Sequence, residues 1–101
     1  MRESEVEKYL IQEVVGRNGS IRKVKWIGRR GAPDRFVMLP FSRGKIGYVW
    51  IPRCAWVELK RPKGKAEAHQ RREHQRLREF GQVVYVIDTK EKVNAFIEGR
   101  L

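Results

Sequence analysis

Three side chains in this sequence have the types and spacing to hold a divalent cation against a phosphodiester. They are Asp34, directly after Pro33, and the pair Glu58 and Lys60. Phosphodiester hydrolysis needs an activated water, neutralised charge on the phosphorane and help for the departing oxygen. Mg²⁺ or Mn²⁺ held by carboxylates supplies all three. Glu58 and Lys60 alternate with Val57 and Leu59 in Trp56-Val57-Glu58-Leu59-Lys60, so on a strand the two charged side chains share one face. An apolar strand that gives alternate positions to Glu and Lys is costly to bury unless those charges have partners. Asp34 and Glu58 are the expected metal ligands, with the backbone carbonyl of Leu59 completing the inner shell. Lys60 would orient the water or offset developing negative charge. Each feature alone also has a structural explanation: an Asp-started turn for Asp34, and a same-face ion pair for Glu58 and Lys60.

The elements that must position these residues can be read from periodicity. Ser4 to Val15 predicts a helix, with Ser4-Glu5-Val6-Glu7 as a capping box and Val6, Leu10, Ile11 and Val14 on one face. Gly16 and Asn18-Gly19 end it. Ile21–Ile27 predicts a strand, and after the loop Gly28–Gly31 a buried strand follows over Asp34–Leu39. Pro40 and Ser42–Gly44 mark a turn. Lys45–Ile51 reads as a further strand stopped by Pro52, and Cys54–Lys60 as the strand bearing the acid and lysine. A second helix is expected over Ala66–Phe80, a strand over Val83–Ile87, and a last helix over Lys90–Gly99 capped by Asp88, with Val93, Phe96 and Ile97 inward. The result is one mixed α/β domain over residues 1–101, a small sheet flanked by helices.

The 101 residues carry 23 Lys+Arg against 12 Asp+Glu, a net charge of +11. A surplus of that size on so small a body favours a polyanion, with nucleic acid ahead of anionic lipid or a structural scaffold role. Cys54 is the sole cysteine, so an internal disulfide and a cysteine-rich zinc site are excluded. Its apolar neighbours suggest a core thiol, with a surface thiol as the alternative. No apolar run approaches the roughly 20 residues of a membrane span, and the first residues do not form a secretory signal. Cytoplasmic residence, in a bacterial cell or a phage-infected host, is the default expectation.

Gly31-Ala32-Pro33-Asp34-Arg35, then Trp56-Val57-Glu58-Leu59-Lys60-Arg61-Pro62, then Gln70 upstream of Gly81, resemble the virus-type replication-repair nuclease (VRR-NUC) domain, a branch of the PD-(D/E)xK superfamily. The resemblance runs from the first helix to Ile87. It implies a restriction-endonuclease-like core of order αβββαβ, here with a C-terminal helix, in a stand-alone phage or bacterial form. It also implies DNA cleavage dependent on Mg²⁺ or Mn²⁺, with Asp34 and Glu58 on the metal and Lys60 assisting. By the same resemblance the substrate is branched, four-way (Holliday) junction DNA cut by a homodimer, with no small-molecule cofactor and no membrane partner. Flap or single-stranded substrates remain alternatives, as does a non-catalytic basic binder.

The family also places a Glu on the first helix. Glu7 is chosen for that role, directly or by way of a water on the metal; Glu3 is the competitor, and the capping box is the structural alternative for Glu7. On the second helix Ala66, Gln70, Glu73, His74, Leu77 and Phe80 form one stripe, which turns Gln70 toward the sheet as the family's supporting glutamine. His74 is read as a solvated helix histidine, with a site residue as the alternative, and His69 is left out of the site. The sequence departs from the family over Phe41–Arg53, where an enlarged segment leaves room for an extra hairpin over 41–53. Lys25, Arg29, Arg30, Arg35, Arg61, Lys63, Lys65, Arg71 and Arg72 are the expected phosphate contacts. Trp26, Trp50 and Trp56 are assigned to the core or a dimer contact, with base stacking as the alternative.

Overall fold

The chain begins with helix α1 (Glu3–Gly16), whose Val6, Leu10 and Val14 recur every fourth position and are fully buried. The computed structural model describes residues 1–43 and 50–99. The α1 N-cap is Arg2, and no side chain caps the helix, so the expected Ser4 box does not form. The cause is tertiary: the Glu7 carboxylate that would close the box is bound to Arg35 instead. Ile11 is also exposed rather than inward.

Four strands follow the helix: β1 (Ser20–Lys23), β2 (Arg35–Arg43), β3 (Trp50–Leu59) and β4 (Val84–Ile87), in sheet order β1-β2-β3-β4. The first three are antiparallel neighbours, and β4 pairs with β3 in parallel. Helix α2 (Ala68–Glu79) supplies the crossover that a parallel pair requires, and helix α3 (Lys90–Ile97) ends the described fold.

β1 is shorter than the expected Ile21–Ile27. Its partner strand begins at Arg35, opposite Lys23. Beyond the bond from Val24 N–H to the Asp34 carbonyl (2.8 Å) the chain leaves the ladder, and Ile27 is 91% exposed. β3 is longer than expected and runs through Pro52 without a break. Pairs Ser42–Ile51 and Arg43–Trp50 lie beyond the ends of β1 and β4, so both strands there have one open edge. A proline on an open edge removes no ladder bond. The register shifts between Leu39 and Ser42, next to Pro40. The enlarged segment thus prolongs the two motif strands as a ribbon. The expected strand from Lys45 falls largely on 44–49, outside the described residues.

One face of the sheet is closed by α1 and α3. Val37, Leu39, Ala55, Val57, Leu59 and Ile87 meet Val6, Leu10 and Val14 from α1 and Val93, Phe96 and Ile97 from α3. Each large aliphatic buried here contributes about 1.5–3 kcal/mol. Tyr9 donates to Asn94 Oδ1 (2.6 Å) and ties the two helices together. Thr89, not Asp88, caps α3, accepting from Lys92 N–H at 3.1 Å. Asp88 instead accepts from Lys63 N–H (3.0 Å) and pairs with the Lys92 ammonium (2.8 Å). Those contacts hold its carboxyl below the usual carboxylate range, chiefly through the bond from Lys92. The bonds pin the loop after β3 to the end of β4.

Candidate active site

The opposite face of the sheet carries the candidate residues. Gly31 has φ +86°, and a Cβ there would lie 2.8 Å from the His69 carbonyl and 3.1 Å from Gln70 Cα. Only glycine lets the Gly28–Pro33 loop lie this close to the start of α2. That approach delivers the buried Pro33, and then Asp34, to the head of β2. Gly64 does similar service behind Lys60: its N–H donates to the Arg61 carbonyl (2.7 Å), and an added Cβ would press on Arg61 and on the Lys60 side chain.

Register then sets the pair. Arg35 lies opposite Val57, so one step further the ladder sets Asp34 beside Glu58. Alternation puts both carboxylates, and Lys60, on the face away from the α1/α3 core. The electrostatics agree. Glu58 is pushed up to about 7, first by burial and then by the charges of Asp34 and Glu3, against the opposing pull of Lys60 and Arg35. The candidate residues Asp34 and Lys60 are thus both electrostatic neighbours of Glu58, together with Glu3 and Arg35. A carboxylate pushed upward chiefly by burial is one whose charged form a bound cation would favour.

Arg35 forms a clamp. Its guanidinium reaches Glu7 at 3.1 Å and Asp34 at 2.9 Å, joining α1 to the first motif acid. Burial would lower its pKa, but the bonds to Glu7 and Asp34 more than offset that and hold it raised. Arg35 is thus engaged by carboxylates, whereas Lys25, Arg29, Arg30, Arg61, Lys63, Lys65, Arg71 and Arg72 are exposed. The two acids of α1 divide: Glu3 bears on the charge of Glu58, while Glu7 is held on Arg35.

His74 is the residue that the sequence reading misplaced. It is not solvated: its side chain is 2% exposed, with Nε2 3.5 Å from Glu58 Oε1 and no hydrogen-bond partner among the described residues. Burial, followed by Arg78 and Lys60, lowers its pKa, so the ring is neutral near pH 7. The signal was its place on the inward stripe with Gln70 and Glu73. Glu73 is buried too, paired with Arg76 (3.3 Å) and, more loosely, with Arg29 (3.8 Å). Phe80, assigned to the same stripe, lies past the helix end and is 80% exposed. The helix starts later than Ala66 because Glu67 and Gln70 form a capping box, in which Gln70 Oε1 accepts from Glu67 N–H at 2.8 Å.

The donors suit a hard cation. Among the described residues no three His, Cys, Asp or Glu side chains gather closely enough to hold an ion alone. A cation would therefore rest on Asp34, Glu58, a backbone carbonyl and waters, an arrangement Mg²⁺ commonly accepts. The carbonyl is accounted for by Pro33. The bonds from Trp56 N–H to Val83 and from Lys60 N–H to Ile87 turn the even-numbered backbone groups of β3 toward β4. Leu59 therefore faces β2, where the next ladder position is Pro33. Proline has no N–H, and its carbonyl is already taken by Trp26 Nε1–H at 2.8 Å. A ladder bond from position 33 to the Leu59 oxygen is therefore ruled out.

Beside Asp34 lies a groove of about 470 Å³, lined by Lys23, Val24, Lys25, Trp26, Arg29, Ala32 and Asp34. Trp26 rests on Trp56 (5.0 Å between ring centroids), and Phe36 packs on Trp56 at 4.7 Å. Cys54, on the Trp56 side of β3, is exposed, so the thiol is on the surface.

No family model matches the chain. A solved structure described as a VRR_NUC domain superposes with a TM-score of 0.75 at 34% identity, covering 98% of this chain and 97% of that one. A protein of Acyrthosiphon pisum secondary endosymbiont phage 1, provisionally named nuclease p44, is 41% identical over 91 residues, which is 90% of this chain and 87% of that protein. With both likenesses spanning nearly the whole chain, the chain belongs to the VRR-NUC family of nucleases.

Proposed function

We propose that this chain is a divalent-metal-dependent DNA endonuclease that cuts branched DNA as a homodimer, in a bacterial or phage-infected cytoplasm. The observation that carries the reading is the cross-strand placement of Asp34 beside Glu58, with Lys60 on the same face, in a nuclease-family fold. VRR-NUC nucleases generally depend on a divalent metal. Asp34, Glu58 and the Leu59 carbonyl would hold Mg²⁺ or Mn²⁺, with an acid of α1 reaching it through water. The cation supplies Lewis-acid polarisation of the scissile phosphate and an acidified water. Lys60 orients that water and offsets charge gathering on the phosphorane. Arg35 holds Asp34 in place, and Gln70 fixes the start of α2 over the site. The exposed cations grip the flanking phosphates without reading sequence.

The homodimer is supported by arithmetic of sites. A chain of 12.0 kDa with one acidic pair addresses one strand, and a two-fold pair would address two. The deciding experiment incubates labelled four-way junction, flap, duplex and single strand with Mg²⁺, Mn²⁺ or EDTA, with sedimentation of the free protein alongside. Metal-dependent cutting strongest on the junction, by a sedimenting dimer, is the expected result. Cutting that persists in EDTA, or survives in both Asp34→Ala and Lys60→Ala, overturns the site.

A further inference from the structure

The groove next to Asp34 has a use that cleavage alone does not specify. Three cations (Lys23, Lys25 and Arg29), one indole (Trp26) and one motif carboxylate (Asp34) line the same 470 Å³ space. The indole is held rigidly: Nε1–H is given to the Pro33 carbonyl at 2.8 Å, and Trp56 backs the ring. With its one donor used internally, Trp26 offers a ligand only its apolar face. Its anchor is the residue before Asp34, so whatever lies on that face is fixed relative to the acid.

We propose that this groove is a binding subsite for one unpaired nucleotide of the substrate, its base against Trp26 and its phosphates on Lys23, Lys25 and Arg29. Charge and π-face together are how sequence-tolerant single-strand sites are built. The volume suits a single nucleotide and not a duplex end. The inference rests on the nuclease reading above and names its substrate class: DNA with an unpaired nucleotide next to the cut. Aromatic stacking of this kind is worth about 1–3 kcal/mol per base, which is roughly 5- to 150-fold in affinity.

The test uses the full chain in EDTA and a duplex whose overhang is a single 2-aminopurine, with the blunt duplex as control. The native protein and Trp26→Phe should quench the probe and bind the overhang more tightly than the blunt end. Trp26→Leu should lose the quench and bind both alike. If Trp26→Leu does not fold, Lys23→Glu with Lys25→Glu, both at exposed positions, must weaken overhang binding more than blunt binding. Unchanged quenching in Trp26→Leu, or equal weakening of both DNAs by the charge reversals, overturns the subsite while metal-dependent cutting leaves the nuclease reading intact. Absence of any DNA binding by the native chain overturns both.

A separate observation carries a second inference. Among the described residues the buried Nε2 of His74 has no hydrogen-bond partner, and it stands 3.5 Å from Glu58 Oε1, slightly beyond a hydrogen bond. We infer that His74 is a positioning residue: Nε2–H donates to Oε1, leaving the other Glu58 oxygen to face the cation. Hydrogen bonds behind a metal-binding carboxylate commonly control affinity by about 10–100-fold, and contacts of this kind tighten once the site is filled.

Titration of the native protein with Mn²⁺, read by electron paramagnetic resonance, gives the reference. His74→Leu should bind Mn²⁺ at least tenfold more weakly while keeping its melting temperature and its DNA affinity in EDTA. His74→Gln, which keeps a donor, should restore most of the affinity. Imidazole nitrogen NMR of the native chain should show Nε2 protonated when Mg²⁺ is added. Native Mn²⁺ affinity in His74→Leu, or an unprotonated Nε2, overturns the positioning role. A native chain that takes up no Mn²⁺ overturns the metal assignment itself.

Discussion

The two faces of the sheet solve opposite problems. The face under α1 and α3 buries mainly aliphatic side chains, and the Tyr9 hydroxyl beside it has a partner in Asn94. The face under α2 buries Glu73 and His74 and half-buries Glu58 within reach of Asp34 and Glu3. The first face supplies stability through burial. The second carries charge-desolvation cost, which a domain this small tolerates only because the other side is closed. Candidate site and core therefore occupy alternate positions of the same strand: Val57 and Leu59 on one side, Glu58 and Lys60 on the other.

The comparison breaks if substitutions on the two faces behave alike. Asp34→Ala, on the open face, should lower cutting by about 10²–10³-fold or more. It should leave thermal unfolding nearly unchanged, because Arg35 keeps Glu7 as its other partner. Leu10→Ala, on the closed face, should cost about 2–5 kcal/mol in denaturant unfolding. Its cutting rate per folded molecule should stay native. A Leu10 variant that is stable but inactive would mean that α1 positions the site through its packing rather than through Arg35.

A smaller effect is expected where one residue serves both ends. Gln70 accepts the Glu67 amide in the capping box and starts the helix that covers Glu58. Gln70→Ala should cost about 1 kcal/mol, the usual value of a lost cap. Gln70→Glu retains the acceptor and should recover that stability. If cutting recovers with it, the glutamine works by holding α2. If cutting stays low, its amide N–H has a task of its own at the site.

Much of this division was legible in the sequence, and the misses have identifiable causes. Strand alternation placed Glu58 and Lys60 together, and continuity of the apolar run placed Asp34 at a strand head. These are local facts of the backbone. Ser4 failed as a cap because Glu7 has a better partner far along the chain, in Arg35. Pro52 was read as a break because a sequence does not show which strand edges are open. His74 was left in solvent, although its stripe already pointed inward; a polar residue on such a stripe can be buried or wet, and the packing of Gly31 against α2 settles which. Asp88 lost the helix cap to Thr89 because the loop amide of Lys63 and the Lys92 ammonium occupy its carboxylate.

The last expected effect is on Glu58 itself, and its sign sharpens the contrast most. Its carboxyl stands at about 7 in the fold against 4.5 ordinarily. The folded state therefore holds a proton that the unfolded state has released. Stability is then full below the ordinary value, falls as pH rises from about 4.5 toward 7, and stays at its lower level above that. Glu58→Gln mimics the protonated form at every pH. In metal-free buffer it should match the native stability near pH 5, exceed it near pH 8, and flatten the slope between, as urea unfolding would show. Mg²⁺ should reverse the order at pH 8 by stabilising only the native carboxylate. A slope that survives in Glu58→Gln would move the pH sensitivity to another group and remove the electrostatic signature on which the contrast between the two faces rests.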